Sequence, residues 1–305
     1  MSGENSANDL ARRRQEWVVA IVAITAVLTV SAGLVWAGSD QGRLVGSSGW
    51  SVFGLCALVS FAVQWVMFAQ AWLARSEGYF DLVGSLTYIC VAWVAVLVSG
   101  ANDLGAWIIV ALITTWAPRL GPFLFLRIRA AGEDKRFKSI RNSFPTFLMT
   151  WTLQGAWVFI TAGCALAAIS GYADIPLGPS FVIGLVLWLI GFGLEVVADR
   201  QKTVFRSNPA NADDFIKSGL WAWSRHPNYF GEIVLWFGIA LMAWPALQGW
   251  QLVTLISPIW VVILLYFISG VRMLENRADR KWGGDPDYEA YKKATPVLVP
   301  KPPRG

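Results

Sequence analysis

GLWAWSRHPNYFGEIVLWFGIALMAW, residues 219 to 244, passes from a polar knot directly into an apolar run. Arg225, His226, Asn228, Tyr229 and Glu232 crowd its first half, and His226 is the only histidine in the chain. Beyond Glu232 the stretch carries no charge as far as Trp244. A run of this kind reads as a helix entering a bilayer, where clustered ionisable side chains are costly and mark function. The stretch is therefore expected to form one wall of a site at a membrane boundary.

Working outward, comparable apolar runs occur at about Trp17–Ala37, Gly49–Leu73, Leu82–Gly100, Leu104–Leu126, Phe144–Ile169, Pro179–Val197 and Gln251–Ser269. With Tyr229–Trp244 they make about eight spans. The composition agrees, because 55% of the 305 residues are hydrophobic and only 15% are charged, against about 25% charged in a soluble domain. The runs are continuous rather than alternating, which argues against a transmembrane β-barrel. The expected fold is an all-α polytopic membrane protein. It comprises a polar tail over residues 1–15, a single membrane domain over 16–305 and a short C-terminal amphipathic helix. Pro118 is expected to kink or end the fourth span. The first run is too long for a signal-peptide core and is read as a retained helix.

The basic residues set the orientation. With the N-terminus in the cytosol and strict alternation, every Lys and Arg except Arg43 falls on the cytosolic side. That asymmetry predicts both termini inside. The net charge of +5 is thereby a topology signal, and no nucleic-acid partner is expected. Trp17, Trp36, Trp50, Trp72, Trp116, Trp244 and Trp250 lie near span ends, as interfacial aromatic belts do. Cys56, Cys90 and Cys164 sit inside apolar runs without CxxC spacing and read as small hydrophobes. With one histidine besides, no metal site is expected.

Three cytosolic segments hold the polar chemistry. The sixth span continues into EVVADRQKTVFRSNP, where Glu195, Asp199, Lys202 and Arg206 fall within roughly 60° of one helix face. A solvated helix end with i,i+4 pairs has the same pattern, but Glu195 lies at the edge of lipid depth. Pro209 is expected to stop that helix. In the second segment Pro227 suits a first helical turn with Arg225 or His226 near the cap. Asn228 and Glu232 then share a face beside backbone N–H groups that favour an anion. The plainer alternative has His226 only capping and Glu232 only pairing with an Arg. The third segment, SGVRMLENRADRKWGGDPDYEAYKKATPVLVP, places Arg272, Glu275 and Asn276 below the eighth span. Tyr288 and Tyr291 lie beyond a turn, on a short helix that also suits an interfacial anchor. Together these residues offer cations for phosphates, carboxylates for ribose and rings for a flat base, an inventory that suits a dinucleotide. GFGLEV at Gly191 lacks the third glycine and the strand of a Rossmann fingerprint, so a different binding mode is expected.

Between about Phe144 and Pro300 the chain resembles the steroid 5-alpha reductase family, closest to its bacterial branch. The resemblance rests on EVVADRQKTVF at Glu195–Phe205, on GLWAWSRHPNYFGE and on Ser257-Pro258. It also rests on SG-x4-E at Ser269–Glu275 and on a closing Y-x2-Y-x3-T-x4-P. The wider fold family includes sterol reductases and isoprenylcysteine carboxyl methyltransferases. The resemblance implies a reductase of the bacterial inner membrane with its site facing the cytosol. NADPH would give hydride to a conjugated C=C of a lipid-like enone (steroid, sterol or isoprenoid) entering from the bilayer. Family cofactor contacts map onto Asp199, Arg206, Asn228, Glu232, Arg272, Glu275 and Tyr288, while Glu195 stands where the steroid enzymes carry an amide. Lys202, Arg225, His226 and Tyr229 join the cofactor candidates by position. The steroid enzymes polarise the substrate ketone with a Glu and a Tyr from their N-terminal half; Tyr88, Asp81 and Gln64 are the candidates here. Two alternatives stand beside this reading. One is a methyltransferase using S-adenosylmethionine, because RHPNYFG is shared with that branch; the other is a non-enzymatic lipid-binding membrane protein.

Overall fold

The computed structural model describes residues 2–131, 137 and 140–303; at residues 2–7, 9, 120 and 122–131 the description stops at the backbone. Burial and hydropathy run in opposite directions along the chain. The helix with hydropathy 2.6, Leu10–Gly38, is only 22% buried, whereas Phe144–Ser170, at 1.6, is 83% buried. In water the most apolar helix would be the most buried. The inversion is what a lipid solvent produces, since it welcomes apolar side chains on the outside.

The described residues form α1 (Ser2–Gly38), α2 (Val52–Ala74), α3 (Phe80–Ser99), α4 (Leu104–Ala131) and α5 (Phe144–Ser170). They continue with α6 (Pro179–Ser207), α7 (Pro227–Ala243), α8 (Ile256–Ile263), α9 (Val271–Trp282) and α10 (Pro286–Ala294). No strand occurs among them beyond two isolated bridges, Gly42 with Gly171 and Leu44 with Ser51. Seven helical stretches are long and apolar enough to cross a membrane. The remaining expected span, the fourth, is α4, 28 residues long, of which Leu104–Arg119 is apolar. Its expected end at Leu126 and the cations Arg127, Arg129, Lys135, Arg136 and Lys138 lie outside the residues whose side chains are described. Pro118 does not end α4, which runs on to Ala131. Neighbouring helices in a membrane protein can supply the polar partners that a proline frees. Helix α1 also starts earlier than its apolar run, taking in the polar stretch before Trp17.

The chain divides into two compact units. The first, Met1–Pro176 with Ala243–Leu255, is built around α5. Aromatic rings hold α2 and α3 against it, with Phe53 to Phe159 at 5.0 Å and Phe80 to Trp151 at 5.1 Å between centroids. Polar bonds fix the register: buried Ser60 Oγ donates to Gly155 O at 2.8 Å, and Trp65 Nε1, on a partly exposed ring, donates to Thr152 Oγ1 at 3.1 Å. Lipid gives no hydrophobic drive between helices, so such packing and hydrogen bonds carry their association.

The second unit, Leu177–Met242 with Ile256–Gly305, contains every cofactor candidate. Helices α6 and α7 touch backbone to backbone. A Cβ on Gly184 would lie 2.6 Å from Gly238 O, and one on Gly191 would lie 2.5 Å from Gly231 O. Both glycine pairs are seven residues apart on their helices, two turns, so they form one continuous seam. Past α8 the chain makes a π turn at Leu264–Ile268 and breaks at Ser269-Gly270 before α9. At Gly270 a Cβ would lie 2.0 Å from Leu265 O, so only glycine permits that break.

Candidate functional site

The polar end of the second unit is assembled from short segments. Helix α6 stops at Ser207, and Pro209 opens a 3₁₀ turn as expected. The chain returns to α6 through Trp221, whose Nε1 donates to Ala198 O at 3.0 Å, and through Leu220, whose N–H donates to Gln201 Oε1 at 2.9 Å. Pro227 begins α7. Helix α10 starts on Asp285, whose side chain accepts from the N–H groups of Asp287 and Tyr288.

These segments enclose a cavity of about 260 Å³. Lys202, Arg206, Arg225, Arg277 and Lys281 bring positive charge to it, against Asp214 and Glu275. Phe215, Trp221, Trp282, Tyr288 and Tyr291 supply flat faces. Phe215 sits at the middle, 5.3 Å from Tyr288, 5.4 Å from Tyr291 and 5.7 Å from Trp282 between centroids. Lys202 Nζ stands 4.1 Å over the Trp221 ring.

At the inner wall Glu275 holds two cationic or basic groups at once. One carboxylate oxygen pairs with Arg225 Nη1, at ion-pair distance without hydrogen-bond alignment. The other lies 2.8 Å from His226 Nε2. A carboxylate can only accept, so Nε2 carries the proton and Nδ1 presents a lone pair. That Nδ1 and Arg225 Nε are buried with no hydrogen-bond partner among the described residues. Buried polar atoms of this kind ask for an explanation, and a ligand's donor and acceptor would provide one. Tyr229 stacks on His226 with rings 5.7 Å apart and 6° from parallel. Burial pushes the His226 pKa below the ordinary histidine value, and the pull of Glu275 does not cancel it. His226 is thus neutral at pH 7. Stability should be flat above the ordinary value of about 6.5 and fall as pH drops below it. There the unfolded chain binds a proton that the folded one refuses, at up to about 1.4 kcal/mol per pH unit. Thermal unfolding from pH 8 to pH 5 checks this, and His226→Asn should lose that part of the slope.

The structure divides the sequence candidates into two groups. Lys202, Arg206, Arg225, His226, Glu275 and Tyr288 line the cavity. Glu195, Asp199 and Glu232 are buried along the α6–α7 seam instead, where Asn228 Nδ2 donates to Asp199 Oδ1 at 3.1 Å. Tyr229 bridges the groups through its stack on His226, and Arg272 is exposed on α9 outside the cavity lining. The Tyr288 hydroxyl is already committed to Asp279 at 2.9 Å, and burial followed by that carboxylate raises its pKa. Tyr288 therefore offers a ring rather than an acid. Sequence reasoning missed Phe215, Trp221 and Trp282 as lining residues, and Arg277 and Lys281 as cations. Trp221, inside the polar knot itself, carried the one available signal.

The catalytic candidates belong to the first unit. Gln64 is fully buried on α2, with Nε2 donating to Thr87 Oγ1 at 2.8 Å, and Thr87 donating on to Val83 O at 2.7 Å. Its Oε1, an acceptor, is left without a hydrogen-bond partner among the described residues. Tyr88 is buried edge-on to Trp116 at 5.1 Å. Asp81 stands in the first turn of α3, about 10 Å along the helix from Tyr88, so the structure does not bring these two together.

Residues 66–295 match the family DUF1295, described as protein of unknown function. That range includes Asp81 and Tyr88 and leaves Gln64 outside. The chain is 29% identical over 167 residues to 3-oxo-5-alpha-steroid 4-dehydrogenase 1 of Rattus norvegicus, covering 53% of this chain and 58% of the relative. It is 29% identical over 122 residues to steroid 5-alpha-reductase DET2 of Arabidopsis thaliana, covering 39% and 41%. A probable O-methyltransferase, ustE of Ustilaginoidea virens, is 26% identical over 114 residues, covering 32% and 40%. The chain thus spans about half the length of these curated relatives. No solved structure matches it.

Proposed function

The chain belongs to the DUF1295 family, and from that premise we propose that it is an integral membrane reductase that takes hydride from NADPH. Its substrate on this reading is a lipid-like enone, a steroid, sterol or isoprenoid with a C=C conjugated to a carbonyl, drawn from the bilayer. The observation that carries the reading is the cationic, aromatic cavity around Arg225, His226 and Glu275, with two buried polar atoms left for a ligand.

Bound NADPH supplies the hydride chemistry; the chain binds it, orients it and keeps water out. Lys202, Arg206, Arg225, Arg277 and Lys281 suit phosphates, and the rings around Phe215 suit a base. At about 260 Å³ the cavity falls short of the roughly 300–1,000 Å³ typical of drug-sized ligands. A dinucleotide therefore has to extend beyond it, and the α6–α7 seam, which continues the helix carrying Lys202 and Arg206, offers further carboxylates and an amide. Among the catalytic candidates Tyr88 carries the O–H needed to donate to a carbonyl oxygen. Gln64 offers an acceptor. The positive-inside asymmetry supports a cavity that faces the cytosol.

The similarity to a probable O-methyltransferase favours one second reading, S-adenosylmethionine chemistry. That cofactor is itself a cation with a single carboxylate, which five cationic side chains around one cavity would repel. Thermal shift separates the two, because only the true cofactor stabilises by mass action. NADPH is expected to raise the unfolding temperature and S-adenosylhomocysteine to leave it unchanged. Arg206→Ala and Asn228→Ala are each expected to weaken NADPH binding by about 10- to 100-fold, as loss of a charge-assisted contact does, while the protein stays folded in detergent. Unchanged affinity in both variants removes the site assignment.

A further inference from the structure

Residues 221–226, which bring Arg225 and His226 to the cavity, are held from outside by the end of the chain. Trp221 O accepts the Tyr291 hydroxyl at 2.7 Å. Trp223 O accepts the Lys301 N–H, and the Arg225 N–H donates to Pro296 O, both at 2.9 Å. Ser224, fully buried, connects the two strands through one oxygen. Its hydroxyl donates to Leu298 O at 2.8 Å and accepts the His226 N–H at 3.1 Å. Pro296 and Pro300 lack N–H groups and fix φ, which keeps this tail extended rather than helical.

We propose that Thr295–Lys301 is a strap, with Ser224 as its anchor, that positions Arg225 and His226 for the ligand of the cavity. This rests on the cavity being the cofactor site. The chemistry of one hydroxyl makes the coupling tight. Its single proton goes to the strap and one lone pair goes to the histidine backbone, so neither bond survives loss of the oxygen. After Ala222 the loop leaves regular helix. Its other backbone bonds are local, with the Trp223 and Ser224 N–H groups donating to Leu220 O and the Phe230 N–H to His226 O, so the strap supplies the long-range backbone bonds to Trp223 and Arg225. Ser224 and the strap are positioning elements; neither is part of the lining of the cationic cavity.

The test compares Ser224→Ala, Ser224→Thr and a chain ending at Thr295 with the full-length protein in detergent. Two quantities are read: hydrogen exchange at the Arg225 and His226 amides without ligand, and the NADPH dissociation constant. Ser224→Ala and the shortened chain are expected to lose at least about tenfold in amide protection and about tenfold in NADPH affinity, since buried partners are left unpaired. Ser224→Thr keeps the hydroxyl and is expected to restore both to within about threefold. Should the shortened chain fail to fold, the Ala and Thr pair decides alone. Full amide protection in Ser224→Ala, or equal loss in Ser224→Thr, overturns the strap. If the unaltered protein binds no NADPH while exchange responds as described, the cofactor reading falls and the strap stands.

Discussion

Glu275→Gln is expected to destabilise the fold by about 2–3 kcal/mol and, by releasing Arg225 and His226 from their shared partner, to weaken NADPH binding by at least about tenfold. Glu275 satisfies Arg225 and His226 together, and both partners are nearly buried, with side-chain exposures of 10% and 6%. The amide keeps the shape and removes the charge. Arg225 would then be a buried cation without its counterion, and removing one partner of a buried pair costs about 3–5 kcal/mol. Glu275 itself is 19% exposed, so about 2–3 kcal/mol is the fitting range. The amide can also donate to His226 Nε2, which frees the ring to take the other tautomer and turns Nδ1 from an acceptor into a donor. Equilibrium titration of detergent-solubilised protein with NADPH measures the effect, with the unfolding temperature as the check on folding. An affinity unchanged by the substitution would show that the Arg225–His226–Glu275 group does no binding.

How much of this was legible in the sequence depends on how local each feature is. The helices were read from apolar runs, and the stop at Pro209 and the start at Pro227 from the missing N–H of proline, because both signals lie within one element. The grouping of Lys202 and Arg206 followed from helical spacing alone. The aromatic lining was not legible. Phe215 meets Trp282, Tyr288 and Tyr291 across more than sixty residues of chain, and no periodicity links a loop to a distant helix. The division of the cofactor candidates was hidden for the same reason. The α6 face predicted as continuous is continuous, but α7 covers its Asp199 end while its Lys202 and Arg206 end opens to the cavity. Of the two outcomes expected at Pro118, a kink or an end, the end does not occur, because in a membrane protein groups other than water can partner what a proline frees.

The string GFG at Gly191–Gly193, considered as a nucleotide fingerprint and set aside, supports the last prediction. A Cβ on Gly191 would stand 2.5 Å from Gly231 O and 2.6 Å from Leu235 N, whereas one on Gly193 would meet nothing within 4 Å. The reciprocal position, Gly231, would bring a Cβ 2.5 Å from Gly191 O and 2.8 Å from Glu195 N. These obstructions are backbone, which cannot rotate aside, so the two helices must separate. Gly231→Ala is expected to cost about 1–3 kcal/mol, the usual range for overpacking, and Gly231→Val more. Gly193→Ala should be neutral or stabilise by up to about 1 kcal/mol, because only the entropy of the glycine changes. Separation at Gly231 also pulls on the Asn228–Asp199 bond of 3.1 Å, one turn away on α7. Gly231→Ala should therefore weaken NADPH binding as well as lower the unfolding temperature, and Gly193→Ala should do neither. Equal effects of the two alanines would mean that glycine serves α6 and α7 through flexibility rather than through close approach. The seam that gathers Glu195, Asp199, Asn228 and Glu232 would then need another cause.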